Sequence, residues 1–287
     1  MGRGLATAAG LIALAAAVGG CGGGGGDSSE ALAKAATTTG AVSGARTSFR
    51  ATISNPGLPT PLELRGAGVV IPRTHAARMT FQAVSGPQLP GTGLRQLGGE
   101  VVMSNLTMYL RLGLLEQQLP RGKRWLKLDF RRAGRAQGIN VAQFLQGGQD
   151  PSQALGYLRA TSGRTRKLGQ ERVRGVSTTR YRATVDLHKF PRTLPQSERR
   201  SARQSVDRVI RLTGTAKFPT DVWIDSRGLV RRQQSTLSAP GPNGSRQRIV
   251  QRLEFYDFGA HVRVQAPPGS QVLDATKLAG SGQQSLR

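Results

Sequence analysis

The chain is poor in several kinds of residue, and each shortage excludes a class of protein. One cysteine among 287 residues excludes a fold that is stapled by disulfides. Only one long apolar run is present, and it lies at the start, which excludes a multi-pass membrane protein. Acidic residues number 16 against 41 lysines and arginines, so the net charge is +25. Apolar residues still make up 37% and recur in short alternating runs, which argues against full disorder.

The apolar run at the start is typical of an export signal. Arg3 precedes an alanine-rich stretch over residues 5–18, which is short for a membrane-spanning helix. The run Val18-Gly19-Gly20-Cys21 resembles the bacterial lipobox. That resemblance implies a lipoprotein signal peptide over residues 1–20 and a lipidated Cys21, which holds the protein on the outer face of the cell membrane. The alternative is an ordinary secretory signal with one unpaired thiol.

The rest of the chain divides into a tether, one domain and a tail. Five consecutive glycines follow Cys21, and they predict a flexible tether over residues 21–29. One domain is expected over residues 30–275, followed by a polar tail over residues 276–287. Helices are predicted from Glu30 to Thr39, after Asn140, after Asp150 and from Pro195 to Leu212, the last of them ended by Gly214.

A two-residue hydrophobic period dominates the body of the chain. Phe49 and Ile53, for example, are separated by Arg50 and Thr52, as in an antiparallel sheet with one apolar face. We predict an α+β fold that is mostly β. In it, a curved antiparallel sheet forms an incomplete half β-barrel, with two or three helices over its open, concave side. The narrow apolar stripes of these helices cannot cover all of that face. Either the sheet closes around its own side chains, or it keeps a cavity for an apolar guest.

The apolar positions of the first predicted strands are the candidate ligand-binding residues. Methionine side chains are flexible and adapt to irregular chains, which suits a lipid ligand. The competing interpretation is that these residues are ordinary core. The candidates are Phe49, Ile53, Leu62, Leu64, Met79, Phe81, Val101, Met103, Met108 and Leu110.

The motifs follow one another in a characteristic order. The lipobox is followed by a short helix, a block of strands and an Asp-Pro helix start. Next come the run from Leu168 to Tyr181, Val222-Trp223-Ile224-Asp225, and Glu254-Phe255-Tyr256-Asp257-Phe258-Gly259. This order resembles the actinobacterial lipoproteins of the LppX/LprG type, which are related in fold to the carriers LolA and LolB. The resemblance implies an incomplete barrel that binds a lipid or an acylated glycolipid and moves it within the cell envelope. It implies no catalytic residue.

The positive charge suggests partners beyond a ligand. It is concentrated in residues 121–135 and 159–182, and anionic membrane headgroups or anionic wall polymers are its candidate partners. Nucleic acid is not expected, because the chain is exported and its basic stretches lack interleaved aromatic residues. The alternative function is a basic cell-surface adhesion or wall-polymer-binding lipoprotein without a lipid cavity. We expect a monomer.

The residues that carry chemistry in other proteins form no catalytic pattern here. The three histidines lie far apart and lack the spacing of metal ligands. Gly66-Ala67-Gly68 is incomplete as a dinucleotide fingerprint. Asp221 and Asp225 share a strand face, but a solvated strand edge explains them better than a catalytic pair. We therefore expect a binding protein and not an enzyme, without a metal or a cofactor.

Overall fold

The computed structural model describes the chain between residues 26 and 276 with short gaps. The predicted signal peptide, Cys21 and the predicted helices after Asn140 and Asp150 lie outside the described residues. The gaps are residues 58, 75, 88–92, 94–96, 106, 117, 130–131, 133–164, 194–195 and 242–244.

The described strands form one curved, open sheet. Their order is β12-β6-β5-β4-β3-β2-β1-β11-β10-β9-β8-β7, so β12 and β7 are the two edges. Neighbours are antiparallel except β12 and β6, which are parallel. The predicted α+β half-barrel is confirmed. The strands are β1 Ala45–Ser54, β2 Leu62–Ile71, β3 Ala76–Ser85, β4 Gly99–Ser104, β5 Thr107–Leu112, β6 Trp125–Asp129, β7 Arg166–Val173, β8 Val176–Asp186, β9 Lys217–Asp225, β10 Val230–Pro240, β11 Arg246–Tyr256 and β12 Val272–Asp274.

The described helices are few and mostly short. They are α1 Gly26–Gly40, α2 Gly113–Glu116 and α3 Gln196–Thr213, with 3₁₀ helices at Pro72–Thr74, Leu187–Thr193 and Gly269–Gln271. No described helix is long and apolar enough to cross a membrane.

Helix α1 begins earlier than predicted. It starts at Gly26, so residues 26–29, which were assigned to the tether, belong to the helix. Leu32 and Ala35 lie one turn apart and pack against Val222 and Ile224 of β9. We call the face of the sheet that receives α1 the inward face and the opposite one the outward face.

Helix α3 matches its prediction to within one residue at each end. Ala202, Val206 and Ile210 recur every four residues and pack with Phe190 of the preceding 3₁₀ helix. Gly214 ends the helix in the left-handed region, with φ +63°, and its amide donates to the Ile210 carbonyl at 2.6 Å. The helix also contacts β10, so it is held to the sheet near the end of that strand.

Three glycines on the inward face allow the sheet to curve. A Cβ at Gly66, Gly68 or Gly99 would lie against the backbone carbonyl of a residue in the next strand, at Thr80, Arg78 and Arg111 respectively. Curvature brings the strands closest together on the concave side, and there only glycine leaves enough room. The Gly66-Ala67-Gly68 run therefore has a structural role in β2.

The chain remains packed up to Thr276, where a polar tail was predicted to begin. Ala275 and Thr276 are both buried. The Ala275 amide donates to the Lys127 carbonyl at 2.9 Å, and the Asp129 amide donates to Thr276 Oγ1 at 3.0 Å. These bonds bind β12 to β6, so the domain includes residue 276, and the start of the tail was predicted too early.

Candidate functional site

All ten candidate ligand-binding residues lie on the inward face. Residues directly opposite each other in neighbouring strands point to the same side of the sheet. Phe49 lies opposite Leu253 and Gly66, and Gly66 lies opposite Phe81. In the neighbouring row, Met79 is opposite Val101, which is opposite Leu110. Because side chains alternate along each strand, the remaining candidates fall on the same side. Their role in binding stays a prediction.

The ten residues form two adjacent apolar clusters. Phe49, Leu64 and their neighbours build one cluster over β1, β2 and β3. Phe81, Val101 and Met108 build the other over β3, β4 and β5. In the part of the chain that the structure describes, neither cluster includes a residue of a helix. As far as the described residues go, this half of the inward face thus consists of strand side chains.

Half of the candidate residues keep part of their surface exposed. Phe49, Leu64, Phe81, Val101 and Met108 are buried. The other five are only half-buried, although they are apolar and face inward: Ile53, Leu62, Met79, Met103 and Leu110. A fully packed core would bury such side chains, so this face has apolar surface left for a further contact.

Sequence reasoning missed several members of the same surface. Leu112, Leu128 and Leu253 pack against the two clusters and are half-buried. The alternation that located the other residues also runs through β6 and β11, so the same signal could have found them.

The inward face is more polar on the other half of the sheet. Gln233 of β10 and Gln251 of β11 point inward by register. Thr220 and Ser235 are buried there and share a hydrogen bond of 3.0 Å between their hydroxyls. Leu237 and Ala239 of β10 are apolar and face inward as well, but they are buried in a cluster with Ile249. The half-buried candidate residues therefore all lie on β1–β5.

The outward face is tied together by ion pairs. Asp221 lies between Arg180 and Arg182, and Arg182 Nε donates to its Oδ1 at 2.6 Å. Burial raises the pKa of Asp221, but the hydrogen bonds from Arg182 and Arg180 outweigh it and hold the pKa below its ordinary value. The carboxylate therefore stays charged and forms ion pairs with both arginines.

Asp221 and Asp225 do not lie at a solvated strand edge, contrary to the sequence interpretation. Both are buried, and β9 is an interior strand between β8 and β10. Asp225 accepts hydrogen bonds from the Leu229 amide at 2.9 Å and from Arg231 Nε at 2.7 Å. Burial raises the pKa of Asp225, and these bonds lower it overall. Each carboxylate is thus occupied by structural partners.

Other acids on the outward face are shared in the same way. Glu100 contacts Arg78 at 2.6 Å and Arg111 at 3.1 Å. Glu254 contacts Arg174 at 2.9 Å and Arg232 at 2.7 Å. Among the described residues, no group of three His, Cys, Asp or Glu side chains is placed to hold a metal ion.

The structure is thus an open, mostly β half-barrel with an apolar inward face and a charged outward face, and this pattern can be compared with known proteins. No family model matches the chain. An uncharacterized 31.2 kDa protein of Streptomyces griseus, from the rplA-rplJ intergenic region, is 26% identical over 202 residues. The alignment covers 67% of this chain and 63% of that protein, so the chain spans less than two thirds of the relative's length.

Two solved structures are similar to this chain. The lipoprotein LppX of Mycobacterium tuberculosis has a TM-score of 0.43 and 13% identity, over 82% of this chain and 97% of its own. LprF of Mycobacterium bovis has a TM-score of 0.42 and 14% identity, over 86% of this chain and 100% of its own.

Proposed function

We propose that the protein is a membrane-anchored extracytoplasmic lipoprotein that binds a lipid or another apolar ligand on the inward face of its half-barrel. It carries or holds that ligand within the cell envelope. The role is one of binding and not of catalysis, because the outward carboxylates considered for chemistry are held by arginines and backbone amides.

The observation that carries the proposal is that helix α1 packs on one half of the inward face and not on the apolar clusters of the other half, within the described residues. Helix α1 packs its buried residues on β8 and β9. The clusters of β1–β5 contain strand residues alone within the described chain, and half of the candidate residues are incompletely buried. An acyl chain laid on this surface would complete their burial.

The hydrophobic effect is large enough for such binding. Each methylene removed from water contributes about 0.8 kcal/mol. About ten methylenes therefore contribute about 8 kcal/mol, close to the free energy of micromolar binding. A single acyl chain is long enough, and the methionines adapt to its shape.

The anchor is part of the same proposal. Cys21 is five residues from Gly26, where α1 begins, and an extended chain of that length spans at most about 17 Å. A lipid on Cys21 would hold the domain close to the membrane, from which a ligand comes. Lipidation of Cys21 alone is enough for an anchor, because a lipidated cysteine carries two or more acyl chains and these attach a protein stably to a membrane. Cys21→Ser should release the protein to the medium or leave it unprocessed; a mature, membrane-bound variant would reject the anchor.

The binding proposal is tested by lipid extraction from the purified protein. The chain expressed from Gly22 on includes every described element and lacks the leader. We expect an organic extract of it to contain lipid by mass spectrometry. Met79→Gln together with Met103→Gln should reduce that lipid severalfold, because both side chains face inward and are half-buried.

The matched control is Val69→Gln, a half-buried aliphatic residue of β2 whose side chain points outward by register. It should leave the lipid content unchanged. Equal loss in the control and in the methionine variant would show that the inward face is not the binding surface. An extract of the unaltered protein without lipid would reject the proposed function itself.

A further inference from the structure

Three arginines lie side by side at the centre of the outward face. The registers place Arg50 of β1 directly opposite Arg252 of β11 on one side and opposite Arg65 of β2 on the other. Neighbouring strands are about 4.8 Å apart, so the three side chains leave the sheet from one straight line at that interval. We call these three residues the arginine row.

The row departs from the charge pattern of the rest of the outward face. Like charges directly opposite each other destabilise an antiparallel pair. Arg166 of β7 also lies opposite Arg182 of β8, but Arg182 in turn lies opposite Asp221. At Glu100, likewise, an acid stands between two cations, Arg78 and Arg111. In the row the cations follow one another across three adjacent strands with no acid between them in register.

Among the described residues, a single carboxylate, that of Glu63, pairs with two members of the row. Glu63 Oε1 is 3.2 Å from Arg50 Nε and 3.0 Å from Arg65 Nε. About half of each arginine side chain is exposed, at 49% and 52%. Both guanidinium groups can therefore be reached from solvent, and together they exceed the negative charge available.

The third member has a neutral partner where arginine usually takes an anion. Arg252 donates from Nε and Nη2 to the single amide oxygen of Gln234, at 2.9 and 2.7 Å. Two parallel donors of this kind match a carboxylate or a phosphate. Within the described chain, no Asp or Glu oxygen lies at ion-pair distance from Arg252. Burial, then Arg232 and Arg50, hold the pKa of Arg252 below the ordinary arginine value, although the charges of Glu254 and Glu171 partly offset them. An anion in contact with this guanidinium would therefore be favourable.

We propose that the arginine row binds a linear anionic polymer through its phosphate groups. The cations lie on a line, which suits a chain that crosses the strands, and guanidinium forks match phosphate oxygens in geometry and charge. The row is on the opposite side of the sheet from the apolar clusters. Polymer binding therefore does not depend on the proposed lipid function.

Binding of linear inorganic polyphosphate to the chain from Gly22 on tests the proposal. We expect salt-dependent binding by calorimetry. Arg50→Gln and Arg252→Gln should each weaken it about tenfold, since each removes a charge-assisted contact. Each should also lower the slope of log affinity against log salt by about one, because one fewer counterion is released.

The control is Arg46→Gln, on the same strand and face as Arg50. Arg46 is 61% exposed and pairs with Asp257, so its loss makes the same change in net charge outside the row. Its affinity for polyphosphate should stay within about twofold of the unaltered chain. Equal weakening of polyphosphate binding by all three variants would mean that binding depends on net charge and not on the arginine row. That result would overturn the proposal.

Binding to lipid vesicles tests the other source of phosphate, which is the headgroup of a phospholipid. Binding to phosphatidylglycerol vesicles without binding to polyphosphate would also overturn the proposal, as would no binding to either. Lipid content in an organic extract should be unchanged in Arg50→Gln and Arg252→Gln. Failure of the polymer site is thereby separable from failure of the lipid site.

Discussion

The indole Nε1 of Trp223 donates a hydrogen bond of 2.8 Å to Oε2 of Glu171, across strand β8. Trp223 is only 2% exposed, although it points outward from β9. The guanidinium groups of Arg180 and Arg232 lie 4.9 and 5.2 Å from its ring centroid. The outward face thus contains a small closed core of one aromatic ring covered by charged side chains.

Two substitutions at Glu171 should separate the acceptor from its charge. Glu171→Ala leaves the buried indole N–H of Trp223 without its acceptor and should lower the free energy of unfolding by about 2 kcal/mol. Glu171→Gln keeps an acceptor oxygen and should cost less than half as much. Urea unfolding of both variants measures the difference. Equal losses would mean that charge, and not the hydrogen bond, is what Glu171 contributes.

Removing the charge of Asp221 should be among the most damaging outward changes. Asp221→Asn leaves Arg180 and Arg182 facing each other over a neutral side chain. Because both arginines are partly exposed, at 25% and 44%, we expect a loss of about 2 to 3 kcal/mol in unfolding free energy. Asp257→Asn breaks an exposed pair with Arg46 and should cost under about 0.5 kcal/mol. Similar losses in the two variants would contradict the ion-pair account.

The curvature of the sheet should depend on Gly68. A Cβ there would lie 2.8 Å from Met79 Cα and also against the Arg78 carbonyl, so Gly68→Ala forces β2 and β3 apart. We expect a loss of about 1 to 3 kcal/mol in thermal or urea unfolding. Gly40→Ala has no atom within 4 Å of the new Cβ and should be neutral or slightly stabilising. A neutral Gly68→Ala would show that the strands are not crowded at this point.

The attachment of β12 should be lost in acid through Asp274. The hydroxyl and the amide of Thr276 lower the pKa of Asp274 to about 2, with a further contribution from Lys127. A lowered pKa stabilises the fold above the unfolded value near 3.8, and this stabilisation is lost as the pH falls towards 2. Exchange of the Ala275 amide should therefore be slower in the unaltered chain than in Asp274→Asn at neutral pH, and equal near pH 2. A difference that persists in acid would contradict this account.

Alternation along the strands was enough to predict one face of the sheet. Phe49 and Leu110 are far apart in sequence, yet the period of two placed both on the inward side, where the registers confirm them. The apolar spacing and Gly214 likewise located α3. These features are local, because a strand or a helix shows its period within its own residues.

The features that were not predicted depend on contacts between distant segments. Strand β12 is held by Thr276 and Asp129, which are 147 residues apart in sequence. The burial of Asp221 follows from its strand lying inside the sheet, which no local pattern reveals. In the sequence, Gly66 and Gly68 could be recognised only as part of an incomplete dinucleotide fingerprint. Their structural role depends on how closely β3 approaches β2, which no local pattern shows.

The central claim, that the inward face holds an apolar ligand, is tested most directly by native mass spectrometry of the chain purified from Gly22 on. We predict a population heavier than the polypeptide by the mass of one lipid, which is lost when Met79→Gln and Met103→Gln are combined and kept in Val69→Gln. A polypeptide of bare mass in every preparation, which also takes up no lipid from added vesicles, would contradict the account.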